Sequence, residues 1–402
     1  MEPQKPIWKR NIHFLALAVF IAGLAFSEFM PFLALYIETL GHFNHQLLNF
    51  WSGLIYASIF VVSALVSPWW GKLADRYGRR PMILRAGLGM AIVLSLMGAV
   101  NNVWQLLVLR LLQGFFSGFI SNCNALIATE TPKQHAGQAL GFMASSVTAG
   151  TLLGPFLGGF IASFLGYRFT FFVTGGLLFI SFLLTLRYVH EKGFKPISKA
   201  DTPSFQTVVQ QLRSPQLIAG LLLTTLIIQA ANSSINPIVS LFVRELMHHT
   251  GNIVLIAGLV AALPGISNFL VASRLGALGD EVGTQKIILS GFIAASVLFF
   301  ATALVQNVYQ LGSLRFLIGF SDACLFPQVQ TLLSKNAPEQ LTGRLFSWNQ
   351  SAMCIGNIAG PLLGSTISGA FNYSSVFLLT GLMVVINLLL FRSNVMKHLP
   401  KH

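Results

Sequence analysis

The sequence predicts an all-α membrane protein whose twelve membrane-spanning helices form two pseudo-symmetric six-helix bundles. Of its 402 residues, 54% are hydrophobic and only 9% are charged, which is too little polar surface for a water-soluble fold of this size. A helix needs about 20 apolar residues to cross about 30 Å of hydrocarbon. Twelve such stretches follow one another, at 12–37, 49–70, 82–100, 105–129, 138–163, 169–189, 216–246, 253–274, 286–305, 310–333, 343–370 and 373–392.

The placement of the basic residues predicts how these helices are oriented. With the amino terminus in the cytoplasm, all but four of the 25 Lys and Arg residues fall on the cytoplasmic side, as the positive-inside bias requires. Arg168 and Arg244 lie outside, and Arg110 and Arg315 lie within helices. Twelve crossings return the carboxyl terminus to the cytoplasm as well. The net charge of +13 therefore reflects topology, and membrane lipid rather than nucleic acid is the expected partner.

The first stretch carries an acidic residue deep in the membrane. Lys9 and Arg10 before an apolar stretch resemble the start of a secretory signal peptide, but the stretch is too long and has no small-residue cleavage site. We therefore expect an uncleaved first helix. It contains Glu28, and Asp322 in the tenth stretch is the second carboxylate at such depth. Intramembrane acids are functional by default, so we expect both to carry protons; the alternative for each is a neutral, hydrogen-bonded structural group.

A basic segment joins the second and third stretches. It reads Gly71-Lys-Leu-Ala-Asp75-Arg76-Tyr-Gly78-Arg79-Arg80-Pro81 and predicts a short loop. Its glycines permit a turn and a close backbone approach, and Asp75 can lie against the positive end of a neighbouring helix. The other interpretation is a tight loop whose charges only anchor the topology.

The pattern Gly-x-Leu-Ala-Asp-Arg-x-Gly-Arg-Arg in this segment resembles the loop between helices 2 and 3 of the major facilitator superfamily. The resemblance implies twelve helices in two halves and a gating loop in which Asp75 caps the eleventh helix, near Gly343 and Arg344. The expected gating residues are Gly71, Asp75, Arg76, Gly78, Arg79 and Arg80.

The fourth stretch places an arginine in the hydrocarbon. Its motif Leu106-x-x-x-Arg110-x-x-Gln113-Gly114 resembles one of the superfamily whose arginine is linked to proton transfer. A charge there costs about 2.5–3.5 kcal/mol on insertion scales, so Arg110 needs an acidic partner or a water-filled cavity, and we expect Glu28 to be that partner. Arg315 and Asp322 lie two turns apart on one helical face and could satisfy each other. The predicted proton-coupling residues are Glu28, Arg110, Asp322 and Arg315.

The fifth stretch carries glycines at every fourth position. The run Gly150-Thr-Leu-Leu-Gly154-Pro155-Phe-Leu-Gly158-Gly159 resembles a motif of the drug and proton antiporters in the superfamily. Glycines at this spacing form a smooth face for close helix packing, which we expect at the interface of the two halves, and the proline bends the helix. The expected antiporter-motif residues are Gly150, Gly154, Pro155, Gly158 and Gly159.

An interruption and an internal repeat predict the domain organisation. Residues 190–214 are basic and proline-containing, which predicts a cytoplasmic linker between bundles at 1–189 and 215–402. Arg110-x-x-x-Gly114 returns as Arg315-x-x-x-Gly319, at an offset of 205. The glycines of the fifth stretch return as Gly356, Gly360 and Gly364, at an offset of 206. Such parallel repeats are typical of transporters whose halves rock about a central site.

Amides in the fourth, seventh, tenth and eleventh stretches predict a binding chamber, because amides facing lipid would be costly. The excess of 34 Phe over 7 Tyr residues favours an apolar, adaptable chamber, although we expect most of the Phe side chains to face lipid. The predicted substrate-binding residues are Met30, Asn122, Asn124, Met143, Gln229, Asn232, Asn236, Gln328, Trp348, Asn349 and Asn357.

Several short segments resemble multidrug exporters of the twelve-helix drug and proton antiporter group: Trp8-Lys-Arg-Asn11, Met30-Pro-Phe-Leu33, Asn124-Ala-Leu-Ile-Ala-Thr129 and Asn349-Gln-Ser351. The resemblance implies a monomer in the bacterial inner membrane that exports drug-like amphiphilic or cationic compounds in exchange for protons. The alternative is a carrier of the same fold dedicated to one metabolite, siderophore or lysophospholipid.

Other classes of function are not expected. The sequence has no Gly-Lys-Ser or Gly-Lys-Thr phosphate loop, so we do not expect ATP to drive transport. Cys123, Cys324 and Cys354 lack the spacing of a metal site, and no cofactor or metal is predicted. No cluster of catalytic side chains indicates an enzyme.

Overall fold

The computed structural model describes residues 7–191, 212, 214–338 and 341–398. These residues form helices joined by short turns. The α-helices are α1 (Ile7–Glu28), α2 (Leu33–Glu38), α3 (His45–Tyr77), α4 (Arg79–Met97), α5 (Val103–Phe115), α6 (Phe119–Glu130), α7 (Lys133–Leu165), α8 (Tyr167–Tyr188), α9 (Pro215–Ile235), α10 (Val239–Leu246), α11 (Ile253–Val282), α12 (Thr284–Thr302), α13 (Val308–Asn336), α14 (Thr342–Ala370) and α15 (Tyr373–Leu390). Most of the predicted linker at 190–214 lies outside the described residues.

The predicted membrane-spanning stretches all fall on helices. In the described part of the chain, eleven segments are long and apolar enough to cross a membrane. The remaining predicted stretch, the eleventh at 343–370, is α14, an unbroken helix of 29 residues. Its amides, among them Asn349 and Asn357, lower its hydropathy. A membrane helix can carry them because they are hydrogen-bonded to α9 and do not face lipid.

A single residue separates α3 from α4. Residues 71–77, predicted as part of a loop, continue α3 to Tyr77, and α4 begins at Arg79. Gly78 turns the chain with a φ of 98°, a backbone conformation that favours glycine. Around Gly71, a Cβ would meet none of the described atoms within 4 Å, so the close approach expected there is wrong.

The fourth predicted stretch is broken near its midpoint, where continuity over 105–129 was expected. α5 ends at Phe115 and α6 begins at Phe119, with Gly118 between them at a φ of 99°. Two side chains donate hydrogen bonds to backbone carbonyl oxygens at the break: Trp70 Nε1 to Phe115 O at 2.8 Å, and Arg85 Nη2 to Ser117 O at 2.7 Å. These bonds replace those the interrupted helix cannot make.

Contacts divide the chain into two compact units. The first comprises Met1–His42, Ser58–Lys199 and Val254–Gly258, and the second comprises Phe43–Ala57, Ala200–Ile253 and Leu259–His402. The start of α3 groups with the second unit because His45 Nε2 lies 2.8 Å from Ser368 O and Ser368 Oγ donates to Asn49 Oδ1 at 2.8 Å. Equivalent helices pack in each unit: α1 on α7 and α4 on α8 in the first, α9 on α14 and α12 on α15 in the second.

Candidate functional site

The glycines of α7 pack against α1. A Cβ on Gly154 would lie 2.7 Å from Leu24 O, and one on Gly158 would lie 2.7 Å from Glu28 Cγ and closer still to Glu28 O. Gly150 meets the backbone of α1 at Phe20 in the same way. The predicted close packing is present, and the partner of these three glycines is α1, a helix of the same unit. The expectation that the motif packs at the interface of the two halves stays a prediction.

Other residues of the motif meet the beginning of α11, a segment that groups with the first unit. A Cβ on Gly159 would lie 3.1 Å from Gly258 Cα, and one on Gly258 would lie 2.5 Å from Pro155 O. Glycine at both positions therefore permits α7 and α11 to approach at backbone distance.

Glu28 is the last residue of α1 and is fully buried. The Thr174 hydroxyl of α8 lies beside its carboxyl group but donates its proton to Thr170 O at 2.8 Å. Neither carboxyl oxygen has a hydrogen-bond partner among the described residues. A buried carboxyl group without fixed donors is free to exchange a proton when water reaches it.

The second unit shows the same position without an acid. Glu28, Gly158 and Thr174 correspond, at an offset of 206, to Ser234, Gly364 and Thr380. A Cβ on Gly364 would collide with Ser234 O, just as one on Gly158 would collide with Glu28 O. Ser234 Oγ lies 2.9 Å from Thr380 Oγ1 and donates to Ala231 O at 2.7 Å. The fold therefore accommodates a small neutral side chain here, so an acid is not required for packing.

Arg110 is buried in α5 but does not pair with Glu28. Its Nη1 donates to Gln113 Oε1 at 2.9 Å, and its guanidinium lies 4.6 Å from the ring centre of Phe29. Among the described contacts, no hydrogen bond or ion pair joins Arg110 to Glu28, so the expected pair is wrong in this structure. Phe29 takes the face of the guanidinium that an acid would otherwise approach.

Asp322 is held by an amide of the seventh predicted stretch. Asn232 Nδ2 donates to Asp322 Oδ1 at 2.8 Å, whereas the interaction of Asp322 with Arg315 is electrostatic, without a direct bond among the described contacts. The expectation that Arg315 and Asp322 satisfy each other is therefore met only in part, because Asn232 is the bonded partner.

Polar side chains along α9 join this acid to α14. Gln229 Nε2 and Ser233 Oγ both donate to Asn357 Oδ1, at 2.8 and 2.7 Å, and Thr225 Oγ1 donates to Asn349 Oδ1 at 2.7 Å. The structure thus gathers four predicted substrate-binding residues, Gln229, Asn232, Asn349 and Asn357, with Asp322. We call this group the α9 polar network.

An apolar cavity of about 530 Å³ lies between α9 and α14. Trp348, a predicted substrate-binding residue, lines it together with Leu222, Leu226 and Ile355. Trp348 and Asn349 are consecutive in α14, so the cavity and the α9 polar network share that helix.

The remaining predicted substrate-binding residues do not join this group. Gln328 Nε2 donates to Leu275 O of α11 at 2.9 Å, and Asn122 Nδ2 donates to Gly118 O at the break before α6 at 2.7 Å. The others are placed as follows: Met30 in a 3₁₀ turn after α1, Asn124 within α6, Met143 fully buried in α7 and Asn236 at the end of α9.

The gating segment is fixed by a residue that sequence reasoning missed. The Glu191 carboxylate accepts hydrogen bonds from the backbone N–H groups of Arg79 and Arg80, each at 2.9 Å, and so caps the amino terminus of α4. Asp75 pairs with Arg79 at 2.6 Å across Gly78, and the expected cap on the eleventh helix stays a prediction. An acid soon after the sixth stretch, at the start of a predominantly basic segment, was the available signal.

A second network lies at the same end of the first unit. Asn11 Nδ2 donates to Glu130 Oε2 at 2.5 Å and to His190 O at 2.7 Å, which joins α1 to α6 and to the end of α8. His190 and Glu191 are adjacent in the chain, so the hydrogen bonds of this network and of the α4 cap connect α1, α4, α6 and α8 at the same end of the unit.

We expect Glu191→Gln to loosen the start of α4. The amide retains one acceptor and loses the charge, which should lower stability by about 0.5–2 kcal/mol, as for other N-caps. Hydrogen exchange at the amides of Arg79 and Arg80 measures this effect directly and should become faster. Glu245→Gln, a change at an exposed carboxylate, is the matched control. Equal exchange rates in both variants would contradict the capping role.

Comparison with known proteins places these features in a family. The profile of the Major Facilitator Superfamily matches residues 15–275 and 221–401. The chain is 47% identical over 380 residues to multidrug resistance protein MdtG of Enterobacter lignolyticus, a match covering 94% of this chain and 91% of that protein. It is 46% identical over 388 residues to multidrug resistance protein MdtG of Dickeya zeae, covering 96% and 95%.

Solved structures share the fold at low sequence identity. A bacterial homologue of the human lysosomal transporter Spinster superposes with a TM-score of 0.81 at 15% identity, covering 100% of both chains. The nucleoside transporter NupG gives a TM-score of 0.74 at 14% identity, covering 98% of this chain and 100% of NupG. The predicted fold and family resemblance are confirmed: this chain is a multi-pass inner-membrane protein that belongs to the Major Facilitator Superfamily.

Proposed function

We propose that this protein exports drug-like amphiphilic or cationic compounds from the cytoplasm in exchange for protons, by alternating access. Near full-length relatives that share almost half of its residues are named multidrug resistance proteins, which supports the substrate class. The observation that carries the exchange with protons is Glu28, a buried carboxyl group without a hydrogen-bond partner among the described residues.

Glu28 can alternate between protonated and ionised forms as its access to water changes. The protonated form is stable while the carboxyl group is packed against Gly158, and hydration favours ionisation. The Arg110 guanidinium, which packs on the ring of the neighbouring Phe29, can stabilise the carboxylate if the end of α1 moves. One proton crossing 100 mV supplies about 2.3 kcal/mol, and each pH unit adds about 1.4 kcal/mol.

The α9 polar network and the adjoining apolar cavity suit amphiphilic compounds. Amides both donate and accept, so Gln229, Asn232, Asn349 and Asn357 can exchange their present hydrogen bonds for bonds to varied substrates. Trp348 and its aliphatic neighbours offer an apolar surface beside them. Asp322 supplies one negative charge, which favours cationic members of the substrate class.

Transport into proteoliposomes with an acidic lumen tests this function. The native protein should accumulate several unrelated dyes, such as ethidium and a neutral lipophilic dye, and a protonophore should abolish the accumulation. If the protein transports a single compound and none of the dyes, the alternative of a carrier dedicated to one substrate is favoured instead. In this proposal the protein works as a monomer with both termini in the cytoplasm and catalyses no chemical reaction.

We expect Asp322→Asn to change substrate preference rather than coupling. The amide removes the charge, so the KM for ethidium should rise about tenfold, equivalent to about 1.4 kcal/mol. The KM for a neutral dye should stay within experimental error. Uptake kinetics with both dyes make the measurement, with Glu245→Gln as the matched loss of an exposed charge. Equal losses for both dyes would contradict a selective role for Asp322.

A further inference from the structure

Two grooves of similar size occupy equivalent places in the two units. One, of about 570 Å³, lies where α4 meets α5 in the first unit, and the other, of about 610 Å³, lies where α12 meets α13 in the second. Their lining positions correspond at an offset of 205, for example Trp104 with Tyr309 and Gln105 with Gln310. The internal repeat has therefore duplicated a surface feature that has no part in the proposed transport mechanism.

Each groove has an apolar wall and a polar rim. In the first, Asn102 Oδ1 accepts from Gln105 N at 2.9 Å, and in the second, Asn307 Oδ1 accepts from Gln310 N at 2.9 Å. Trp104 is 65% exposed and Tyr309 is 84% exposed. Exposed Trp and Tyr beside amides at the end of a membrane helix are typical of the level of lipid headgroups.

One side chain distinguishes the two grooves. The exposed Arg168, at the start of α8, donates from Nη2 to Val100 O at 3.0 Å and lies 3.4 Å from Asn101 Oδ1, both of which line the first groove. The equivalent residue in the second unit, at an offset of 206, is Ser374. Arg168 is also one of only two basic residues that the predicted topology places outside, so the general positive-inside bias does not account for it.

We propose that the groove of the first unit binds one anionic phospholipid, with the phosphate on Arg168 and the acyl chains along the exposed wall at Leu96 and Val108. The positive charge of Arg168 complements the anionic headgroup, and Asn101 and Gln105 offer hydrogen bonds to the polar atoms of the headgroup. The acyl chains of the same lipid remain in the membrane, against the apolar wall. The groove of the second unit has the same shape without the cation and does not select for headgroup charge.

Native mass spectrometry of the purified intact protein tests this proposal, with dioleoyl phosphatidylglycerol and, separately, dioleoyl phosphatidylcholine as probes. Arg168→Gln keeps a donor for Val100 O and removes the charge. It should retain one phosphatidylglycerol fewer than the native protein, with binding at this site weakened about fivefold. Ser374→Arg places the cation beside the second groove and should retain one more. Arg244→Gln, the same loss of charge elsewhere on the predicted outer side, should retain the native number.

The position of the lipid is tested by fluorescence. Brominated phosphatidylglycerol should quench the emission of Trp104, obtained as the difference between the native protein and Trp104→Tyr, more strongly than brominated phosphatidylcholine does. Inorganic phosphate should not relieve the quenching. Unchanged phosphatidylglycerol retention in Arg168→Gln, or equal quenching by both lipids, would overturn the proposal.

Discussion

Replacing Glu28 by glutamine should abolish proton-driven accumulation of substrate while leaving downhill exchange of substrate intact. The amide is nearly isosteric and fits against Gly158, but it cannot bind and release a proton. With one proton exchanged per neutral substrate, a gradient of one pH unit supports about tenfold accumulation, and the variant should reach none. Dye uptake into proteoliposomes, with and without the pH gradient, measures both activities.

The second unit provides the matched controls for this experiment. Glu28→Ser recreates the local arrangement of Ser234 with Thr380, so it should fold normally and show the same loss of coupling. Ser234→Ala changes the equivalent position without touching an acid and should remain coupled. If Glu28→Gln still accumulates substrate under the gradient, Glu28 does not carry the coupled proton, and Asp322 becomes the candidate.

Adding one methyl group at Gly158 should destabilise the first unit. A Cβ there would overlap Glu28 O and C, which are backbone atoms and cannot move independently of α1. Overpacking of this kind costs about 1–3 kcal/mol, and we expect Gly158→Ala to lower the free energy of unfolding by that amount. Denaturant unfolding in detergent, followed by tryptophan fluorescence, provides the measurement.

A glycine on the same helix controls for the intrinsic effect of alanine. A Cβ on Gly141 would have no described atom within 4 Å beyond the local helix, so Gly141→Ala should be neutral or stabilise α7 by up to about 1 kcal/mol. Gly364→Ala, which would overlap Ser234 O, should destabilise as Gly158→Ala does. Equal stability of Gly158→Ala and Gly141→Ala would show that α1 and α7 are not tightly packed.

Patterns of apolarity and small residues predicted more than patterns of charge. Helix positions follow from runs of apolar residues, and the packing role of Gly158 follows from its spacing, because both are local properties of the sequence. The partners of Arg110 and Asp75 could not be inferred in this way. They depend on which side chain, Phe29 or Arg79, occupies the adjacent space, and that is decided by the rotation and tilt of whole helices.

Because the fourth stretch is interrupted, we expect substitutions at three positions around the break to occur together. Trp70 and Arg85 are bonded to carbonyls that exist as free acceptors only because Gly118 turns the chain. A side chain at Gly118 that restored a continuous helix would leave Arg85 without its acceptor at Ser117 O. In the second unit, where α13 is continuous, the corresponding residues are Leu275, Ser290 and Ala323, so all three differ together. We therefore expect these three positions to covary among relatives, with a helix break wherever glycine, arginine and tryptophan occur together.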